Sequence, residues 1–230
     1  MGLGLQNQRN GFDSHPTVQF RGYSLKGKHQ TVDLGDRGSN PLGPAKGGLM
    51  PGSVPEGKLF FRDWITQFRP FKILDVGVGT GDYGWIIRNL SYPCELHGVE
   101  IYAPYIAEFR LHHFYDYIYN EDIRKINLQN DYDLMIFGDV LEHMTKEEVL
   151  ELWPKMKKRA RFLWISLPIK VEGRSWSVGH KQPPAEYATN IYEKHLHSWT
   201  YDEILCDLGP FLWTVPFKII GTFIAEGEIK

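Results

Sequence analysis

Cysteine is nearly absent from this chain. Cys94 and Cys206 are the two in 230 residues, and neither stands at metal-ligand spacing with other cysteines or histidines. A disulfide framework and a cysteine-based zinc site are thereby excluded, and a reduced, cytoplasmic setting is the expectation. Long apolar runs are lacking too: no stretch approaches the roughly 18 residues of a membrane span. The N-terminus has no basic-then-apolar stretch of the signal-peptide kind. Neither sign of charge dominates, with 26 Lys and Arg against 28 Asp and Glu. That balance supplies no general electrostatic grip on nucleic acid. The one basic cluster, Lys155, Lys157, Lys158, Arg159 and Arg161, closes a helical segment, where cations suit the helix dipole. No internal repeat is present.

Residues 1–56 are poor in apolar periodicity and rich in Gly, Pro, Ser, Asn and Gln. Such a segment buries too little apolar surface to offset the entropy of ordering, so it is expected to be a disordered or spurious extension. Two tetrapeptides point to a translated non-coding origin. Gly11-Phe12-Asp13-Ser14 and Gly38-Ser39-Asn40-Pro41 are each encodable, in different frames, by the T-arm consensus GGTTCGANTCC of a tRNA gene. They lie one tRNA gene plus a short spacer apart. On this reading the functional start is Met50 or a codon near it, and the folded domain is 57–230. The DNA upstream of codon 50 decides it: a region without a cloverleaf ends the idea.

From Gly57 the pattern becomes regular. Leu59, Phe60, Trp64, Ile65 and Phe68 have helical spacing, ended by Pro70. Residues 72–76 read as a buried strand, 82–90 as a helix, 95–100 as a second strand and 103–113 as a helix. A short third strand is expected near 115–119, and a fourth over 132–137. Thr145 caps a helix running to about Lys158, with Pro154 as a possible kink. A fifth strand covers 162–167, a helix 199–208, and two closing strands 212–215 and 218–225. The connection 169–198 is long enough to be functional. Alternation of strand and helix predicts a doubly wound, mostly parallel α/β sheet with helices on both faces and a C-terminal antiparallel strand pair. Ligands of such sheets lie outside the carboxyl ends of the strands, where strand order reverses.

Four features fall at four successive strand ends: Asp75-Val76-Gly77-Val78-Gly79-Thr80-Gly81, Glu100-Ile101, Asp122-Ile123, and Asp139-Val140-Leu141-Glu142-His143. Glycines after a strand let the chain turn sharply and a ligand approach the backbone. Gly79-Thr80-Gly81-Asp82-Tyr83-Gly84 also fits the dinucleotide fingerprint, with Glu100 as a ribose acid. Asp75 before the glycines and the 139–143 loop are not accounted for by that reading.

The four features together resemble the class I S-adenosylmethionine-dependent methyltransferases, with their seven-stranded Rossmann-like fold, over about residues 57–228. The resemblance implies S-adenosyl-L-methionine as cofactor. It assigns Asp75, Gly77, Gly79 and Gly81 to the first motif and Glu100, with Ile101 beside it, to the ribose hydroxyls. Asp122 takes the adenine amine and Ile123 the adenine ring, and Asp139 and Val140 flank the methionine part. It also disfavours two specialised activities. The Asp-Asn pair of metal-dependent catechol-type enzymes is replaced here by Ser166-Leu167-Pro168-Ile169. The polar-Pro-Pro-aromatic run of nucleic-acid amino-methylases is replaced by Asp139-Val140-Leu141-Glu142.

Methyl transfer to a hydroxyl or protonated amine benefits from a base, and histidine suits neutral pH. His143, on the loop after the fourth strand, and His195, in the run Glu193-Lys194-His195-Leu196-His197-Ser198-Trp199, are the candidates. His197 shares that run. His180, Glu186, Tyr187 and Tyr192 are weaker candidates for the same pocket, and His112 and His113 are expected to be structural. No bound metal is expected. The expected activity is methyl transfer to an oxygen or nitrogen of a small-molecule or sugar-like acceptor. The rivals are a non-catalytic S-adenosylmethionine-binding module and a methyltransferase acting on RNA or protein.

Overall fold

Twelve helices and strands build the folded region in the computed structural model, which describes residues 57–170, 190–217 and 220–230. The extension 1–56, with its tRNA-like tetrapeptides, lies outside the described residues. So does most of the long connection, including His180, Glu186 and Tyr187. The elements are α1 (Lys58–Phe68), β1 (Lys72–Val76), α2 (Asp82–Asn89), β2 (Glu95–Val99), α3 (Ala103–Glu108), β3 (Tyr117–Tyr119), β4 (Tyr132–Gly138), α4 (Lys146–Lys157), β5 (Ala160–Pro168), α5 (Tyr201–Leu208), β6 (Trp213–Pro216) and β7 (Ile220–Glu226), in chain order, with β7 the closing strand.

The seven strands form one sheet in the order β3-β2-β1-β4-β5-β7-β6. Pairing is parallel from β3 through β5 and antiparallel where β7 meets β5 and β6. This is the doubly wound, mostly parallel architecture with a reversed terminal strand that the sequence pattern implies. Strand order reverses between β1 and β4, so a crevice opens beyond their carboxyl ends.

The period of two along each strand decides which side chains meet which helices. Leu74, Met135, Leu163 and Ala225 lie in register across four strands. They join Val149, Leu152, Trp153 and Met156 of α4 and Ile204 and Leu208 of α5 in one core. On the opposite face Ile73 aligns with Leu134, and Ile136 with Trp164. There the helix α1 supplies Phe60, Phe61 and Trp64, all buried. The Phe61 and Trp164 rings meet edge to face at a centroid separation of 4.9 Å, the arrangement favoured by the ring quadrupole.

Three local departures from the sequence pattern have physical causes. The helix expected over 103–113 ends at Glu108, because Arg110 turns into the left-handed region (φ 50) before a single 3₁₀ turn at Leu111–His113. That break carries Tyr115 into the core beside Gly84, where a Cβ would lie 2.6 Å from the Tyr115 ring. The third strand therefore starts at Tyr117. Pro154 lies inside α4 without ending it. The last helix starts at Tyr201 rather than Trp199. Thr200 caps it, Glu203 reciprocates on the Thr200 backbone, and Trp199 is buried instead. The same capping box, Thr145 with Glu148, starts α4.

Trp164 has no exposed surface and touches three aromatic residues of α1. Trp164→Ala is expected to cost about 3–5 kcal/mol. Urea unfolding followed by fluorescence and circular dichroism measures it, and a loss below about 1 kcal/mol would show that this cluster is not the core of that face.

Candidate functional site

The turn after β1 is shaped by three glycines at positive φ, Gly77 (69°), Gly79 (51°) and Gly81 (82°). At Gly77 a second constraint is added: a Cβ would lie 2.5 Å from a Val140 methyl. The β1 turn and the β4 turn can approach each other only because that atom is missing. The Gly77 and Val78 N–H groups both donate to the Val99 carbonyl, at 2.8 and 3.2 Å, which fixes the turn against β2.

Glu100 follows β2 and is 4% exposed. One carboxylate oxygen accepts from the Gly79 N–H at 2.9 Å and the other from the Tyr102 N–H at 2.8 Å. Burial pushes its pKa up, against these two backbone donors. An ionised carboxylate offers about four lone-pair positions. Each Glu100 oxygen therefore retains acceptor capacity after its backbone bond, which is what a pair of neighbouring hydroxyls requires. Ile101 follows it at the mouth of the crevice, half-buried.

Asp75 lies deeper. Its carboxylate is 1% exposed and accepts from the Tyr115 hydroxyl at 2.6 Å, while that hydroxyl accepts from the Gly84 N–H at 3.2 Å. Burial pushes the Asp75 carboxyl up to about 7, the Tyr115 bond and the charge on Lys58 opposing it. Asp75 thus ties β1 to α2 through Tyr115, a partner that no strand-end pattern reveals.

Asp122 and Ile123 come after β3. Ile123 is buried, and both Asp122 oxygens accept from the Arg124 side chain at 2.6–3.0 Å. Burial raises the Asp122 carboxyl, but the Arg124 guanidinium and backbone N–H outweigh it and hold it below the usual range. Arg124 also bonds Glu148 of α4, so this acid is clamped to the helix layer.

Asp139 stands at the end of β4 with φ 54, its N–H donating to the Ser166 carbonyl at 2.6 Å. The 3₁₀ turn Leu141–His143 follows. Onto this turn docks the segment 190–199 from beyond the long connection. The Leu196 and His197 N–H groups both donate to the Glu142 carbonyl, at 2.7 and 3.2 Å, and the Trp199 indole donates to the Leu141 carbonyl at 3.4 Å. The result brings the His143 and His195 rings together, edge to face, with centroids 4.8 Å apart. Burial pushes the His143 pKa down, against the opposing charge of Glu193.

His197 points elsewhere: its ring lies 3.5 Å from the Glu203 carboxylate and stacks edge-on to Trp199. Tyr192 is exposed, and so are His112 and His113. Two side chains near the crevice, Glu193 and Asn190, carry no signal in the strand-end pattern. Glu193 accepts from Tyr105 of α3 at 3.0 Å and Asn190 at 3.3 Å, anchoring the docked segment. Glu142 is 2% exposed, and burial and the charge on Asp139 hold its carboxyl well above the usual range. Glu142 belongs to the 139–143 feature of the sequence, and its burial is decided by the tertiary structure.

The comparisons with known proteins agree with this arrangement at the level of the fold. No protein-family model matches the sequence, and no curated protein matches it. Solved structures do. The N-terminal domain of EvdMO1, solved with SAH bound, superposes with a TM-score of 0.55 at 11% identity, over 76% of this chain and 83% of that one. It has also been solved in the presence of SAH and D-fucose. An S-adenosylmethionine-dependent methyltransferase from Clostridium acetobutylicum superposes with a TM-score of 0.56 at 10% identity, over 73% and 89%. Mitomycin 7-O-methyltransferase MmcR gives 0.53 at 12% identity, over 74% of this chain, which spans about half (54%) of that protein. The chain therefore has the class I, Rossmann-like fold of S-adenosylmethionine-dependent methyltransferases.

The buried Asp75 carboxyl makes a pH-linked prediction. Its folded pKa of about 7 lies above the ordinary 3.8, so the folded state holds this proton more tightly. Its contribution is most favourable below about pH 4 and is lost as pH rises to about 7, by at most on the order of 4 kcal/mol. Asp75→Asn keeps an acceptor for Tyr115 and carries no charge. It is expected to raise the thermal midpoint more at pH 8 than at pH 5, and an equal shift at both pH values would refute the assignment.

Proposed function

We propose that this chain is an S-adenosylmethionine-dependent methyltransferase that methylates an oxygen or nitrogen of a small, sugar-like molecule. The observation that carries the reading is convergence. His143 and His195, more than fifty residues apart, meet at a ring separation of 4.8 Å on the β4 turn, whose Val140 packs against Gly77 of the cofactor-type turn. A fold that only displayed the cofactor would have no need of that second group. The fold neighbours support the cofactor, since one of them holds SAH, and the presence of D-fucose in a second structure of that same protein supports a sugar-like acceptor.

The residues fit the cofactor. Glu100 has acceptor capacity on both oxygens for two ribose hydroxyls, with Gly79 holding the carboxylate in place. The turn through Gly77, Gly79 and Gly81 supplies backbone rather than side chain at the crevice floor. Ile101 lies beside the ribose acid, and Asp122 and Ile123 belong to the adenine end, where Arg124 fixes the Asp122 carboxylate. Asp139 and Val140 belong to the methionine end, and Asp75 acts from beneath by fixing α2 through Tyr115.

When bound, S-adenosylmethionine supplies a methyl group on a positively charged sulfur, ready for in-line displacement. The protein's task is alignment, dehydration and handling of the acceptor's proton. Burial depresses the basicity of His143, so at neutral pH the ring is uncharged and has a lone pair to direct at an acceptor hydroxyl. The docked segment 190–199 covers the β4 turn and shields that hydroxyl from water.

Glu100→Ala removes the two ribose acceptors and frees the Gly79 turn. It is expected to weaken SAH binding at least about 100-fold, read by titration calorimetry with circular dichroism confirming the fold. Unchanged affinity would sink the cofactor reading. Transfer of label from methyl-labelled S-adenosylmethionine to a panel of sugars, phenols and amines tests the acceptor class.

A further inference from the structure

We propose that Glu142, His143 and His195 bind a divalent first-row transition cation, and that this cation receives the hydroxyl of the methyl acceptor. The first half stands on the geometry alone. The second rests on the methyltransferase reading above, and it gives the free His143 lone pair to the cation in place of the acceptor proton.

Among the described residues, this is the one place where three such donors converge: one carboxylate oxygen and one nitrogen from each ring lie within 4.8 Å of one another. Two bonds of about 2.1 Å at a tetrahedral angle set their donors about 3.4 Å apart, so binding requires the widest pair to close by up to about 1.4 Å. His195 stands on a half-buried loop that can supply it.

Glu142 is the unusual member. Its side chain is 2% exposed, and Oε2 has no hydrogen-bond partner. A buried carboxylate oxygen with no donor is costly unless it takes up a proton or a cation. His143 is oriented for the second choice. Its Nδ1 faces the Lys194 carbonyl at 3.3 Å. A carbonyl has no hydrogen to donate, so the ring proton belongs on Nδ1, and Nε2 presents a lone pair. A backbone carbonyl behind the ring is the usual way in which a ligating histidine is held.

The donor set also names the class of ion. Two imidazoles and one carboxylate suit Zn²⁺, Mn²⁺, Co²⁺ or Fe²⁺, whereas Mg²⁺ and Ca²⁺ prefer oxygen. Three protein ligands leave positions open for a substrate oxygen. A hydroxyl bound there loses its proton to a water molecule more readily. The oxygen then forms a bond to the methyl carbon as the carbon–sulfur bond breaks, and that electron pair remains on sulfur as a neutral thioether. The metal takes no electron.

The test uses the full chain stripped with chelator and titrated with Mn²⁺, Co²⁺, Zn²⁺ or Mg²⁺ by calorimetry, with the Co²⁺ visible spectrum as a readout independent of activity. One equivalent of transition metal is expected to bind, more tightly than Mg²⁺, and to weaken at least about tenfold in Glu142→Gln, His143→Ala and His195→Ala. His195→Ala alters a half-buried loop residue, so it keeps the test valid if a turn variant misfolds. No stoichiometric binding, or binding indifferent to His195→Ala in folded protein, overturns the site. SAH titrated into the stripped protein separates the two readings. SAH binding without metal binding removes only the metal site, whereas metal binding without SAH binding keeps the metal site and removes the cofactor reading together with the second half. Labelled methyl transfer that proceeds unchanged in stripped protein overturns the second half.

Discussion

The carbonyl of Glu142 accepts two backbone N–H bonds from Leu196 and His197, and the candidate site depends on that attachment. It draws a segment from beyond the long connection across the end of β4. Without it His195 has no reason to lie beside His143, and Trp199 loses its place under the turn. Both donors and the acceptor are main-chain groups, so burial rather than side-chain identity makes the attachment firm: groups of this kind are costly to leave unpaired away from water. Tyr105, bonding Glu193, pins the other end of the segment to α3, and Asn190 braces the same carboxylate from within the segment.

Three carboxylates are buried around the crevice, and each is handled differently. Glu100 is satisfied by two backbone N–H groups. Asp75 is satisfied by a tyrosine hydroxyl, itself held by a backbone N–H. Glu142 keeps an oxygen without a hydrogen bond. The first two arrangements stiffen the turn and the adjoining helix, and the third leaves chemistry undone. Such concentration of raised carboxyl groups at one end of a sheet is typical of functional sites, because burial there is imposed by ligand shape rather than by folding.

Most of the fold was legible in the residue pattern. Short apolar runs ending in acid or glycine mark β1, β2 and β4, and Thr145 with Glu148 marks the start of α4. The illegible parts share one cause. Tyr115 reads as strand by its β-forming character, yet Gly84 leaves a gap that its ring fills, so packing overrides local preference. Trp199 reads as helical by spacing, yet Thr200 and Glu203 form a capping box one residue later, a signal that was present and outweighed by the apolar pattern. For the site, the strand-end acids and glycines were visible because chain order places them at one edge. The roles of Glu193 and Asn190 were not, and Glu142 was visible only as part of the 139–143 loop, because these roles depend on a docking between segments far apart in sequence.

The sequence by itself determined the sheet, its strand ends and the glycine turn, since these follow from periodicity and from backbone conformations that few residues adopt. Tertiary structure alone decided that Asp75 serves Tyr115, that Asp122 is clamped by Arg124, and that His143 and His195 converge while His197 turns to Glu203. Those outcomes depend on which distant groups burial brings within hydrogen-bond reach, and no local pattern carries that information.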